Sequence, residues 1–86
     1  MELREFQNQI RALYLDHDKK LGLETIFTHF LEEVDELKEA LVKQDQENIA
    51  EEIADVFIML VGVANLEGVD MEKAVREKLA LKKGLD

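Results

Sequence analysis

Apolar residues recur at helical spacing along four successive segments of this chain. In the first, Phe6, Ile10, Leu13 and Tyr14 form a stripe from Glu2 to about His17, with Arg4, Asn8, Arg11 and Lys19 off it. The polar stretch DHDKKLGLET follows, where Gly22 reads as a stop and Thr25 as the cap of a second helix reaching about Lys43. On that helix Ile26, Phe27, Phe30, Leu31, Val34, Leu37 and Leu41 make one wide apolar arc. Asp45 is placed to cap a third helix, whose arc is Ile49, Ile53, Val56, Phe57, Leu60 and Val63, and Gly68 suits its end. Asp70 then caps a fourth helix carrying Ala74, Val75, Leu79 and Leu81. The short Lys43 to Gln46 connection makes helices two and three antiparallel neighbours. The expected fold is all-α, a four-helix and mostly antiparallel bundle.

Two acidic pairs interrupt this pattern. Glu33 projects between Ile26 and Ala40 at the edge of the second helix's arc, and Glu36 lies just beyond it. On the third helix Glu52 projects between Met59 and Val63, with Asp55 just outside. At about 1.5 Å per residue, Glu36 and Glu33 stand roughly 13 and 18 Å from the turn, and Glu52 and Asp55 roughly 10 and 15 Å from it. The four carboxylates therefore overlap in height. Such a group at a core edge repels itself and loses hydration, at a cost of several kcal/mol unless protons or cations neutralise it. All-oxygen ligands select a hard cation, Mg²⁺ or Mn²⁺. Surface acids at helical spacing are common, so the argument rests on the matched heights and the matched intrusion into two arcs.

The sequence EEVDE at 32 to 36, with EIAD at 52 to 55, resembles the E-E-x-x-E and E-x-x-D motifs of the MazG-like nucleotide pyrophosphohydrolases. The similarity extends through THFLEEVDELKEAL and through ADVFIML and VANLEGVDMEKAVREKL, over roughly residues 20 to 80. The resemblance implies one MazG-like domain over residues 1–86, in which Glu33, Glu36, Glu52 and Asp55 hold Mg²⁺ and Glu32 supports the site. It also implies that Lys78 contacts the substrate's phosphates. Relatives often carry Asn where this chain has Lys82. The reaction so implied is hydrolysis of a nucleoside triphosphate between the α- and β-phosphates, giving monophosphate and pyrophosphate. Two alternatives stand beside it: phosphoribosyl-ATP pyrophosphohydrolase, whose third helix usually shows an aromatic and a histidine where this chain has Phe57, Ile58 and Met59, and a non-catalytic nucleotide-binding or protein-interaction module.

Composition narrows the partners. Of 86 residues, 47% are apolar and 36% charged, with no Pro, no Cys and four Gly, which favours helices and excludes disulfides and thiolate metal sites. A net charge of −9 argues against a nucleic acid polymer or an anionic membrane as partner, while leaving a cation-bridged triphosphate open. The longest uncharged apolar run, Val56 to Ala64, is too short to span a bilayer, and no basic leader precedes an apolar segment, so a cytoplasmic location is expected.

His29 lies one turn before Glu33 and projects between Glu33 and Glu36, within reach of a metal-bound carboxylate or substrate, although lone histidines seldom prove to be ligands and a structural partner on the helix flank is the preferred account. His17, among Asp16, Asp18 and Lys19, reads as solvated. Neither forms Glu-x-x-His, so a carboxylate-bridged di-iron site lacks its ligands. Finally, Phe57, Ile58, Met59, Leu60 and Val61 point in every direction around the third helix. A helix apolar all round must be buried all round, and the face of Ile58 and Val61 is expected to stay exposed in one subunit, so that a homodimer or a dimer of dimers completes the bundle.

Overall fold

The computed structural model describes residues 2–85, with backbone alone for Gly84 and Leu85. The described residues form four helices and no strand: α1 (Leu3–Leu21), α2 (Leu23–Lys43), α3 (Gln46–Glu67) and α4 (Met71–Leu85). The apolar, antiparallel α2–α3 hairpin is the largest interface. α1 packs against another side of α3, and α4 packs chiefly on α1. Among the described residues no helix is long and apolar enough to cross a membrane.

The joints follow local chemistry. Between α2 and α3, Gln44 takes the left-handed conformation at φ 56°, and the Asp45 N–H reaches back to the Ala40 carbonyl at 3.3 Å. Asp45 then caps α3, its carboxylate accepting from the Asn48 N–H at 3.3 Å. α3 ends at Gly68, φ 68°, where the Val69 N–H bonds the Ala64 carbonyl at 2.9 Å. Asp70 opens α4 by accepting from the Lys73 N–H at 3.2 Å.

Beside that last turn sits a buried polar knot. The Gln7 side-chain amide donates to Asn65 Oδ1 at 3.0 Å and to the Val69 carbonyl at 2.6 Å, and its oxygen accepts from the Met71 N–H at 3.0 Å. Asn65 Nδ2 returns a bond to the Gln7 carbonyl at 3.2 Å. One side chain thus ties α1 to α3 and to the start of α4, and Arg4 adds ion pairs to Asp70 and Glu72 at 3.1 and 3.3 Å. Satisfied this fully, the knot fixes the helices without leaving a buried group unpaired.

Four expectations need correction. α1 does not end near His17 but runs through Asp16, His17, Asp18, Lys19 and Lys20 to Leu21, with the two lysines in its last turn where they complement the helix dipole. Thr25 is no cap: a single residue, Gly22 at φ 89° and ψ 154°, joins α1 to α2 without a side-chain cap bond, in a backbone region that only glycine occupies readily. Leu13 is not core but 72% exposed, because the buried face of α1 runs through Gln7, Ile10 and Asp18. Of the face expected to stay exposed, Ile58 is exposed, but Val61 is 0% exposed, since α1 covers that side of α3.

The apolar surface left outside lies elsewhere. On α2 the buried direction passes through Ile26, Glu33, Leu37 and Ala40, so Phe27, Leu31, Val34 and Leu41 are exposed. On α3 the exposed positions include Ile53, Phe57 and Leu60. Both arcs read from the sequence are real, and one chain covers only an edge of each.

Candidate metal centre

Because α2 presses the edge of its arc against α3, Glu33 comes to lie in the helix contact itself, half-buried among Ile26, Leu37 and Ala40. Its partner across the hairpin is Glu52, also half-buried, and exposed Glu36 completes a triad. One carboxylate oxygen from each of the three lies within 4.8 Å of the others. Asp55, one turn beyond Glu52, lies outside that triad but close enough for its charge to act on both Glu33 and Glu52.

The electrostatics record the crowding. Burial drives the Glu33 carboxyl up to about 7, and the charges of Glu36 and Asp55, a hydrogen bond shared with Glu36 and the charge of Glu52 push the same way. Glu52 is raised as well, first by burial and then by the charge of Glu36, a hydrogen bond with it and the charge of Asp55; a bond from Glu33 opposes this. Glu33 Oε2 and Glu52 Oε2 are buried with no hydrogen-bond partner among the described residues. Two orphaned acceptors facing across one hairpin leave positive charge as the missing partner. Octahedral Mg²⁺ binds oxygen at about 2.0–2.1 Å, which sets its ligand atoms about 3–4 Å apart, so the triad fits the ion after a small inward adjustment.

Beside the triad a cavity of about 310 Å³ opens between α1, α2 and α3. Glu33 and Asp55 form its acidic end. Ile10, Ile26, Ile58 and Met59 make its apolar walls, and Tyr14, His17, Asp18 and Gly62 complete the lining. Asp18 is a residue the sequence reading missed. It is buried against α3, with Oδ1 3.1 Å from His17 Nδ1, and a Cβ on Gly62 would lie only 3.1 Å from its Oδ2. Its position one turn after Tyr14, on the face of Ile10, was the available signal; the polar DHDKK stretch concealed it by resembling a loop.

The acidic geometry, two half-buried glutamates and a third at i+3 on adjoining antiparallel helices, coincides with a family match: residues 21–83 match the family model for the MazG nucleotide pyrophosphohydrolase domain. The chain belongs to the MazG family. No curated protein matches it. Within this MazG domain the remaining candidates are dispersed. Glu32 and His29 are exposed on α2 and do not line the cavity. Lys78 lies on exposed α4 in a shallow groove with Ala74, Val75, Glu77 and Leu81, and Lys82 is exposed one turn on; neither lines the acidic cavity. His17, read as solvated, has a side chain 67% exposed yet bonds buried Asp18.

Proposed function

We propose that this MazG domain is a Mg²⁺- or Mn²⁺-dependent nucleoside triphosphate pyrophosphohydrolase, cutting between the α- and β-phosphates. The observation that carries the reading is the convergence of Glu33, Glu36 and Glu52 with two orphaned buried oxygens, in a chain of this family. Glu33, Glu36 and Glu52 would hold the ion, with Asp55 as fourth acid. When bound, the ion polarises the phosphoryl group and acidifies the attacking water. The chain's own residues supply the rest. Glu33, whose carboxyl is pushed up to about 7 in the metal-free protein, would give up its proton when it holds the ion, and Glu32 would support the acids from the exposed flank of α2. A triphosphate cannot approach these carboxylates without cations, and Lys78 and Lys82 are the α4 charges that would meet its phosphates. His29 stands on the same helix as a further candidate for substrate contact.

The reading includes assembly. The accessible surface of the chain is 6518 Å², against about 5,200 Å² for a compact monomer of 9.9 kDa. Its radius of gyration is 14.6 Å, against about 12 Å for a compact domain of this length. The excess surface, about 1,300 Å², exceeds the roughly 800 Å² each partner gives a standard interface. The exposed faces of α2 and α3 are the apolar surface that a second copy would cover, as a homodimer or within a dimer of dimers.

A panel of nucleoside triphosphates incubated with Mg²⁺, with products resolved by chromatography, tests the reaction. Monophosphate and pyrophosphate in equal amounts are expected from at least one triphosphate. Diphosphate and phosphate as products, or no turnover across the panel, would overturn the assignment.

A further inference from the structure

Resting on the pyrophosphohydrolase reading, we infer that the cavity between α1, α2 and α3 receives the nucleotide's base and that Asp18 selects bases bearing an amino group. The placement follows from the two ends of the cavity. Glu33 and Asp55 at one end adjoin the triad and so lie where cation and phosphates would be. The rest is walled by Ile10, Ile26, Ile58 and Met59, with Tyr14 at its rim, a lining that repels phosphate and suits a flat, largely apolar ring. Asp18 lies in this part. It rests against Gly62, two turns and roughly 10 Å along α3 from Asp55, and so stands at the other end of the cavity from the cation ligands.

Asp18 is also built to face a ligand. The residue is 9% exposed, and α1 can bring it this close to α3 because position 62 is glycine. Its Oδ1 is engaged by His17, whereas Oδ2 has no donor among the described residues. An ionised carboxylate only accepts hydrogen bonds, so this free oxygen of a residue in the cavity lining asks for an N–H. The amino groups of cytosine, adenine and guanine supply one. Uracil and hypoxanthine place a carbonyl oxygen where cytosine and adenine carry the amino group, and two facing acceptors repel; hypoxanthine has only a C–H where guanine carries its amino group, which leaves the carboxylate oxygen without a donor.

Titration calorimetry in Mg²⁺ with nucleoside monophosphates in matched pairs tests this: CMP against UMP, and AMP and GMP against IMP. In wild-type protein the amino-bearing member of at least one pair is expected to bind about tenfold or more tightly. Asp18→Asn, nearly isosteric and able to donate, should abolish or reverse that preference while leaving the member without the extra amino group within about twofold. Gly62→Ala, which crowds Oδ2, should weaken the same preference. Equal affinities within every wild-type pair, no binding of any monophosphate, or a uniform loss across all bases in Asp18→Asn would each overturn the inference; the wild-type comparison decides even if a variant misfolds. Pyrophosphate release from the corresponding triphosphates, measured on the same protein preparations, separates the two readings: absent turnover with an intact amino preference refutes the hydrolase and keeps the base site.

Discussion

At the scale of single residues, two glutamates are held where their charge is least welcome. Glu33 has an ordinary value of 4.5 and is driven to about 7 by burial and its acidic neighbours. Between those values the folded protein binds more protons than the unfolded chain, so the metal-free protein should lose stability as pH rises from about 4.5 to about 7 and stay lower above it. Thermal melts without divalent ions at pH 5 and pH 8 should show the higher midpoint at pH 5, and Mg²⁺ should restore stability mainly at pH 8. A midpoint that rises with pH would contradict the crowding. Lys78 offers a contrasting case. Its replacement by Ala should raise the Michaelis constant or lower turnover while leaving Mg²⁺ stabilisation unchanged, because the proposed contact is to phosphate. Unchanged kinetics would make it an ordinary solvated lysine. Little of the residue-level detail beyond the acid motifs was legible beforehand. Glu33 and Glu52 announced themselves by intruding on apolar arcs, whereas Asp18, Gln7 and Asn65 are polar residues whose burial depends on a partner distant in sequence. Periodicity within one helix carries no information about that partner.

Among the elements, the joints decide where the acids and Asp18 stand. Gly22 is the single residue between α1 and α2, at φ 89° and ψ 154°, and its N–H bonds the Asp18 carbonyl at 2.9 Å. Gly22→Ala should destabilise the protein by about 1–3 kcal/mol, because a Cβ is strained there even though space is open around it. Gln44, left-handed without being glycine, should behave oppositely: Gln44→Gly relieves about 1 kcal/mol of strain, offset in part by the lost side-chain bond to the Leu41 carbonyl. Urea denaturation of both variants checks the signs. The α2–α3 hairpin and the caps Asp45, Gly68 and Asp70 could be read directly, since each signal is local. The length of α1 and the α1–α2 joint could not. Five consecutive polar residues look like a loop until α3 provides Gly62 for Asp18 to rest against.

For the whole molecule, one chain is too small for its own apolar arcs. An all-α bundle was legible, and so was a surplus of apolar surface on α3; of the face expected to stay open, Ile58 is exposed but Val61 is buried. The sequence shows how wide an arc is, while the choice of covered edge depends on how three helices share α3, and α1 takes the side of Val61. The proposed interface is therefore the face of Phe57, Leu60, Phe27 and Leu31. Phe57→Glu should dissociate the assembly, because a carboxylate in a dry interface costs several kcal/mol, whereas Leu13→Glu, at a position 72% exposed on α1, should leave its mass unchanged. Light scattering that found wild type and both variants equally monomeric would refute it.

The central claim is that the Glu33, Glu36 and Glu52 carboxylates form a cation site, and calorimetric titration of Mn²⁺ into wild type and Glu52→Gln at pH 8 tests it most directly. The substitution keeps the side chain's volume and removes one ligand charge, so the folded variant should bind Mn²⁺ at least about tenfold more weakly and lose more than about a hundredfold in turnover. Equal Mn²⁺ affinity in the two proteins, or no binding to the wild type, would contradict it.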